Sequence, residues 1–382
     1  MLLKNGWVHD GLGHTSRQDV LIEDGRIAAM GEDLPGEGEN ISGCHVLPGF
    51  VQAVSLWGVN GSMTEIRPSS NDNDERSDPV TPELDGFYAF NGRAVTAQQL
   101  GAFGITAVGV APADNNLFGG TIAVFTVDGV NPYAMCLKRQ AGMMASVNGN
   151  LKTAYGKRSV APQTRMWIFA HLGEELRKAA AYKPDPEKPR DMKAEALQRV
   201  IEGEWPLFIS CDSLLAAQRV REITDAYPKL RLVLVNGFGL TGEEDWIIQR
   251  KLPVVVRTAT MPLDKEAKAL SLPAMARLAE KGVPVALSGS FTNAMGARED
   301  MLWNGAEMMR VLPDAERVLT MLTSAPAAIL GLGEETGSLQ PGLRADLVVW
   351  SDHPLLTNQA RVLKTFCGGR LIYQEGDEMK CM

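Results

Sequence analysis

The strongest constraint on this chain is a rhythm. Between residues 48 and 289, short apolar runs recur, each parted from the next by a longer stretch, mostly of helical character. The runs are 48–56, 104–112 ("GITAVGVAP"), 143–149 ("MMASVNG"), 206–211 ("PLFISC"), 231–237 ("RLVLVNG"), 253–257 ("PVVVR") and 283–289 ("VPVALSG"). Strand-length apolar segments alternating with helices predict a parallel sheet, because parallel neighbours need long crossovers. Seven or eight such units over ~280 residues suit a closed (β/α)8 TIM-like barrel, which typically takes ~250 residues.

The two ends of the chain read differently. "DVLIEDGRIAAMG" carries a hairpin signal at Asp24-Gly25, while "GSLQPGLRADLVVWSD" and "VLKTFCGGRLIYQEG" are β-rich with Pro-Gly and Gly-Gly turns. Residues 1–50 and 336–382 are therefore expected to pair into one small β-sandwich, leaving 51–335 as the barrel.

Within the barrel, "TRMWIFAHLGEELRKAAAY" predicts an amphipathic helix with Met166, Phe169, Leu172, Leu176 and Ala180 on the core face. His171 then falls on the polar face beside Glu175. "KPDPEKPRD" at 183–191 reads as a surface loop, and the Met-rich stretches "AGMMAS" and "GAEMMRVL" as core filling. The segment 69–87 carries six carboxylates but lacks the glycine and terminal glutamate of a calcium loop, so it reads as solvated. "NNLFGG" at 115–120 precedes a strand instead of a helix, which favours a tight turn over a phosphate cradle.

Composition limits the function classes. A net charge of −8 and a pI near 5.3 disfavour nucleic acid as a partner. No stretch has the ~20 apolar residues of a membrane span or the pattern of a signal peptide, so a cytoplasmic protein is expected. Five cysteines without CxxC spacing suggest reduced thiols.

Several motifs, taken together and in order, resemble a known family. "IEDGRIAAMG", "LPGF", "TSAPAAILGL" and "GSLQPGLRADLVVWSDHPL" look like the amidohydrolase superfamily. "DPVTPEL" at 78–84, "GITAV" at 104–108, "NNLFGG" and "GNLKTAYGKRSVAPQTRM" at 149–166 are similar to its imidazolonepropionase-like branch. The resemblance implies a metal-centred barrel that hydrolyses C–N bonds other than peptide bonds, with reactive groups at the C-terminal strand ends.

Carried onto this chain, the family's metal-ligand positions fall on Val54, Leu56, Gly149, Ser210 and Asn236, and its last-strand Asp on Gly289. Gln52 precedes them on the first strand, and every ligand position is changed. His9, His14, His45 and His353 lie in the terminal segments and His171 on a helix, so the five histidines are not expected to assemble a zinc site. The divalent metal that the family implies is thus unsupported by these residues, and no other cofactor is expected.

Two readings follow. The first is a catalytically degenerate amidohydrolase, kept as a small-molecule-binding or partner subunit. The second is a metal-independent hydrolase of cyclic amides or related molecules, using Asp212, Asn236 and Arg257. Ser210, Lys152, Arg165, Ser288 and Ser290, with Lys157 and Arg158 nearby in sequence, are candidates to hold a small anionic or amide ligand. An active paralogue and further copies of the chain are the expected protein partners.

Overall fold

The structure is a computed structural model describing residues 1–59, 72–93, 99–211, 213–236, 240, 242–257, 272–289 and 297–376. Its strands form two eight-stranded sheets. The terminal sheet holds β1 (Leu2–His9), β2 (Thr15–Glu23), β3 (Arg26–Gly31), β4 (Glu39–Asn40) and β5 (His45–Pro48). The barrel sheet holds β6 (Phe50–Ser55), β7 (Ile105–Val110), β8 (Phe118–Thr126), β9 (Cys136–Ser146), β10 (Leu207–Ser210), β11 (Leu232–Val235), β12 (Val254–Val256) and β13 (Val285–Leu287). The chain then returns to the terminal sheet as β14 (Leu347–Trp350), β15 (Val362–Cys367) and β16 (Arg370–Gln374).

The barrel strands pair in chain order from β6 to β13, and they are buried along almost their whole length. Continuous apolar runs are what a sheet covered on both faces demands. Ser288, just past β13, donates its hydroxyl to the Val54 carbonyl of β6 at 3.1 Å, drawing the first and last strands together.

One strand departs from the expected all-parallel arrangement: β8 runs antiparallel to both β7 and β9. The reason is length. The link 111–117 is shorter than the dozen or so residues that a parallel crossover requires, so the chain turns back directly. The chain accordingly turns at Asp114-Asn115, bends through Asn116-Leu117 and enters the strand at Phe118.

The "LPGF" junction has a steric explanation. A Cβ at Gly49 would lie 2.0 Å from Thr106 Oγ1, so only glycine lets the chain pass from β5 to β6 against β7.

In the terminal sheet, β5 of the N-terminal part pairs antiparallel with β14 of the C-terminal part, joining the two chain ends. Asp24 and Gly25 both adopt positive φ (48° and 77°), which makes the tight β2–β3 hairpin, and Gly368-Gly369 does the same between β15 and β16. This sheet has an apolar cluster of its own, including Leu3, Val20, Ile27, Val46, Leu347 and Phe366.

The helix Arg165–Ala181 forms as expected but is rotated on the barrel. Its buried face is Ile168, Leu172, Leu176 and Ala179, while Met166 and Ala180 are exposed. His171 is half-buried and stacks on Trp167 with ring centroids 3.7 Å apart. The segment 72–87 is also better tied down than a solvated loop. Asp74 accepts from Arg76 and Asn115, Asp78 from Lys193, and Asp85 from Arg139. Met143, Met144 and Met308 are core residues, and the described cysteines form no disulfide. No described helix is long and apolar enough to cross a membrane.

Candidate functional site

The C-terminal strand ends converge on a buried ring of hydrogen bonds. Arg257, after β12, donates from Nε to Asn236 Oδ1 at 2.5 Å and from an Nη to Asp114 Oδ2 at 2.8 Å. Asn236, after β11, donates to Ser210 Oγ at 2.6 Å, and Ser210 donates to Asp114 Oδ2 at 3.2 Å, closing the ring. Asn148, the residue capping the helix Gly149–Gly156, braces it with bonds to Asp114 (2.7 Å) and Ser210 (3.0 Å). Asn150 adds a bond to Asp114 Oδ1 at 3.1 Å.

Both ions are buried: Asp114 is 5 % and Arg257 9 % exposed. Burial acts to raise the Asp114 carboxyl, but the Arg257 charge and the bonds from Asn148, Asn150 and Arg257 outweigh it and hold the group below its ordinary value. Asn236 sits at φ 90°, a conformation costly for a side-chain-bearing residue and sustained here by its place in the ring. Asn304 supports the far side, donating to the Ser288 carbonyl at 2.5 Å.

Of the residues singled out in the sequence, the structure brings Ser210, Asn236 and Arg257 together. Val54 and Leu56 are buried beside other barrel hydrophobes, and Gly149 opens a helix. Ser288 points back to Val54, with Gly289 following it. Lys152 lies half-buried on the helix Gly149–Gly156 and Arg165 at the start of the next helix. Lys157 and Arg158 are exposed, and Arg158 donates to the Arg76 carbonyl. Asp212 and Ser290 lie outside the described residues.

Sequence reasoning missed Asp114, the carboxylate at the centre. Its signal was available: "APADNN" follows an apolar strand, which places Asp114 at a C-terminal strand end.

A second polar cluster bears on the expectation that the histidines assemble no zinc site, because two of them meet a carboxylate in a grouping that could hold a metal ion. At the seam between the terminal sheet and the helix Ala315–Leu322, His9 Nδ1 lies 2.7 Å from Glu316 Oε1 and 2.8 Å from Thr15 Oγ1. His9 Nε2 meets His45 Nδ1 at 2.8 Å, and His353 Nε2 lies 3.7 Å from Glu316 Oε1. Three histidines far apart in sequence meet because β1, β5 and β14 are neighbours in the terminal sheet. Glu316 also lines a cavity of about 430 Å³ with Val283, Pro284 and Val285, at the N-terminal end of β13, opposite the ring.

Burial acts to raise the Glu316 carboxyl, yet the His353 and His9 imidazoles hold it well below the usual carboxylate range. Burial, then the neighbouring His9 and His353, hold His45 below its ordinary value.

Comparison with known proteins places the chain. Residues 215–372 match the Amidohydrolase family. A crystal structure of an amidohydrolase from Thermotoga maritima MSB8 superposes with a TM-score of 0.89 at 27% identity, covering 98% of this chain and 99% of that one. The chain is similar to the amidohydrolase superfamily, by family pattern over 215–372 and by fold over nearly its whole length.

Part of the chain is also similar to an imidazolonepropionase. A stretch of 123 residues is 31% identical to the imidazolonepropionase of Thermoplasma acidophilum, spanning 31% of this chain and only 30% of that relative. A zinc-bound adenosine deaminase from Xanthomonas campestris shares the fold alone, with a TM-score of 0.52 at 17% identity over 97% of this chain and 92% of its own.

Among the described residues, those at the ligand positions that the resemblance implies do not suit a divalent metal. Val54 and Leu56 have no donor atoms, Gly149 has no side chain, and Ser210 and Asn236 already bond within the ring. Arg257 is a permanent cation. A dication about 4 Å from it would meet a repulsion of roughly 8 kcal/mol at an effective dielectric of about 20.

Proposed function

We propose that this chain is a catalytically degenerate amidohydrolase, in which a built-in guanidinium has taken the place of the metal. The observation that carries this reading is the Arg257–Asn236–Ser210–Asp114 ring, which occupies the strand ends where the family's ligands fall. Without a metal, a water molecule lacks its main route to hydroxide at neutral pH and the scissile carbonyl lacks a Lewis acid. On the order of 10 kcal/mol of transition-state stabilisation would need another source, judged from the range of enzymatic accelerations.

The scaffold then serves as a cytoplasmic subunit that binds a small anionic or amide ligand, or associates with an active paralogue or with further copies of itself. Lys152, Arg165, Ser288 and Ser290 are the ligand-binding candidates. We also infer that 1–50 and 336–382 coil over their own apolar cluster as a small sandwich against the barrel 51–335, a division favoured by that separate core.

The metal-independent hydrolase is the weaker reading, because Asn236 and Arg257 are engaged with each other and with Ser210 and Asp114. Assaying the purified protein on a cyclic-amide library, with zinc added and with chelator, tests both readings. The proposal expects no turnover in either condition. Zinc-dependent turnover contradicts it, and chelator-resistant turnover supports the second reading.

A further inference from the structure

We propose that His9, His353 and Glu316 form a binding site for a divalent first-row transition metal such as zinc, at the seam between the terminal sheet and the barrel. Two imidazoles and a carboxylate are donors that suit this class of ion. Their candidate ligand atoms all lie within 4.8 Å of one another. Bonds of about 2.0–2.1 Å to zinc would set tetrahedral ligand atoms about 3.3 Å apart. The present contacts of 2.7 Å (His9–Glu316) and 3.7 Å (His353–Glu316) bracket that value, and the widest separation in the set is no more than 4.8 Å, so side-chain rotation within the cluster brings the three donors to one ion.

A second observation points to a ligand. Glu316 Oε2 and His353 Nε2 are buried polar atoms with no hydrogen-bond partner, and His353 is only 2 % exposed. Such atoms are costly to leave unmatched, and a cation held between them would satisfy both.

The surroundings of His9 fit the role. If Nδ1 binds the ion, Nε2 carries the proton and donates it to His45 Nδ1, 2.8 Å away, while His45 Nε2 lies 3.9 Å from Asp352. Metal-bound histidines are normally held in this way through their other nitrogen. With its single ring proton on Nε2, neutral His9 offers the Nδ1 lone pair to the ion, and the Nδ1 contact to Glu316 gives way to two separate bonds to the metal.

His353 supplies a specific signature. Its Nδ1 now accepts the Leu355 amide at 3.2 Å, which puts the proton of the neutral ring on Nε2. Binding through Nε2 moves the ring proton to Nδ1, so the Leu355 N–H loses its acceptor. The turn after β14 thereby reports on occupancy.

The test is titration of the metal-free full-length protein with zinc, and with cobalt as a coloured probe. The wild-type chain is expected to bind one ion at this site, to give the absorption bands of tetrahedral cobalt, and to exchange the Leu355 amide faster when loaded. His353→Ala and Glu316→Gln should abolish binding, and His45→Ala should weaken it about 10–100-fold. Zinc binding that persists in His353→Ala and Glu316→Gln, or no binding by the wild-type chain, overturns the proposal. Should those variants fail to fold, the wild-type cobalt spectrum and Leu355 exchange decide it: tetrahedral bands with faster exchange support the site, and the absence of either rejects it.

Discussion

The barrel mouth and the terminal seam both gather buried polar groups around one carboxylate, and they reach opposite electrostatic states. At the mouth, Asp114 meets a covalently attached cation and accepts from Asn148, Asn150, Ser210 and Arg257. At the seam, Glu316 faces imidazoles, whose charge is adjustable, and keeps one oxygen without a hydrogen-bond partner. A fold of this kind can thus fix one buried cation at the barrel mouth and gather neutral donors around a carboxylate elsewhere.

Breaking the fixed pair should have the largest effect. Asp114→Ala strands a buried guanidinium and is expected to cost about 3–5 kcal/mol in urea unfolding, whereas Asp114→Leu combined with Arg257→Met should cost far less. Equal losses in the two proteins would mean that the ion pair is not the strained element of the mouth.

The seam should respond to zinc and the mouth should not. At about 100 times its Kd, zinc should stabilise the wild-type chain by about 2.7 kcal/mol. That gain should vanish in His353→Ala and survive in Asp114→Leu/Arg257→Met; the reverse pattern would put the ion at the mouth.

A smaller loss, about 1–3 kcal/mol, is expected for Ser210→Ala, which leaves Asn236 Nδ2 without its buried acceptor. A change within error would show that the ring tolerates a gap.

The gentlest probe is acid. Asp114 has a folded pKa below its unfolded value, so its contribution is present above the ordinary carboxylate range, about pH 4, and is lost as pH falls through the folded pKa. Asp114→Leu/Arg257→Met should therefore lose less stability than wild type between neutral pH and pH 3. An identical acid profile for the two proteins would remove Asp114 from that role.

Much of this was legible in the sequence because it is local. Apolar runs located seven of the eight barrel strands, although β9 begins well before its run and the antiparallel β8 was not among them, and Asp24-Gly25 and Gly368-Gly369 marked their hairpins through positive φ. Ser210, Asn236 and Arg257 could be placed at strand ends for the same reason. The central partner, Asp114, was hidden in a turn that sequence reading treats as punctuation. The histidine cluster was hidden by distance: His9 and His353 sit at opposite ends of the chain and meet only through the pairing of β5 with β1 and β14. The helix Arg165–Ala181 was misplaced by rotation, since Met166 and Ile168 are equally apolar and only packing on the barrel chooses between them.

The most direct measurement is anomalous diffraction at the zinc edge from crystals of the zinc-loaded protein. A single strong peak is expected among His9, Glu316 and His353, with Arg257 still bonded to Asp114 and no peak at the mouth. A peak at the C-terminal strand ends, with Arg257 displaced, would contradict it.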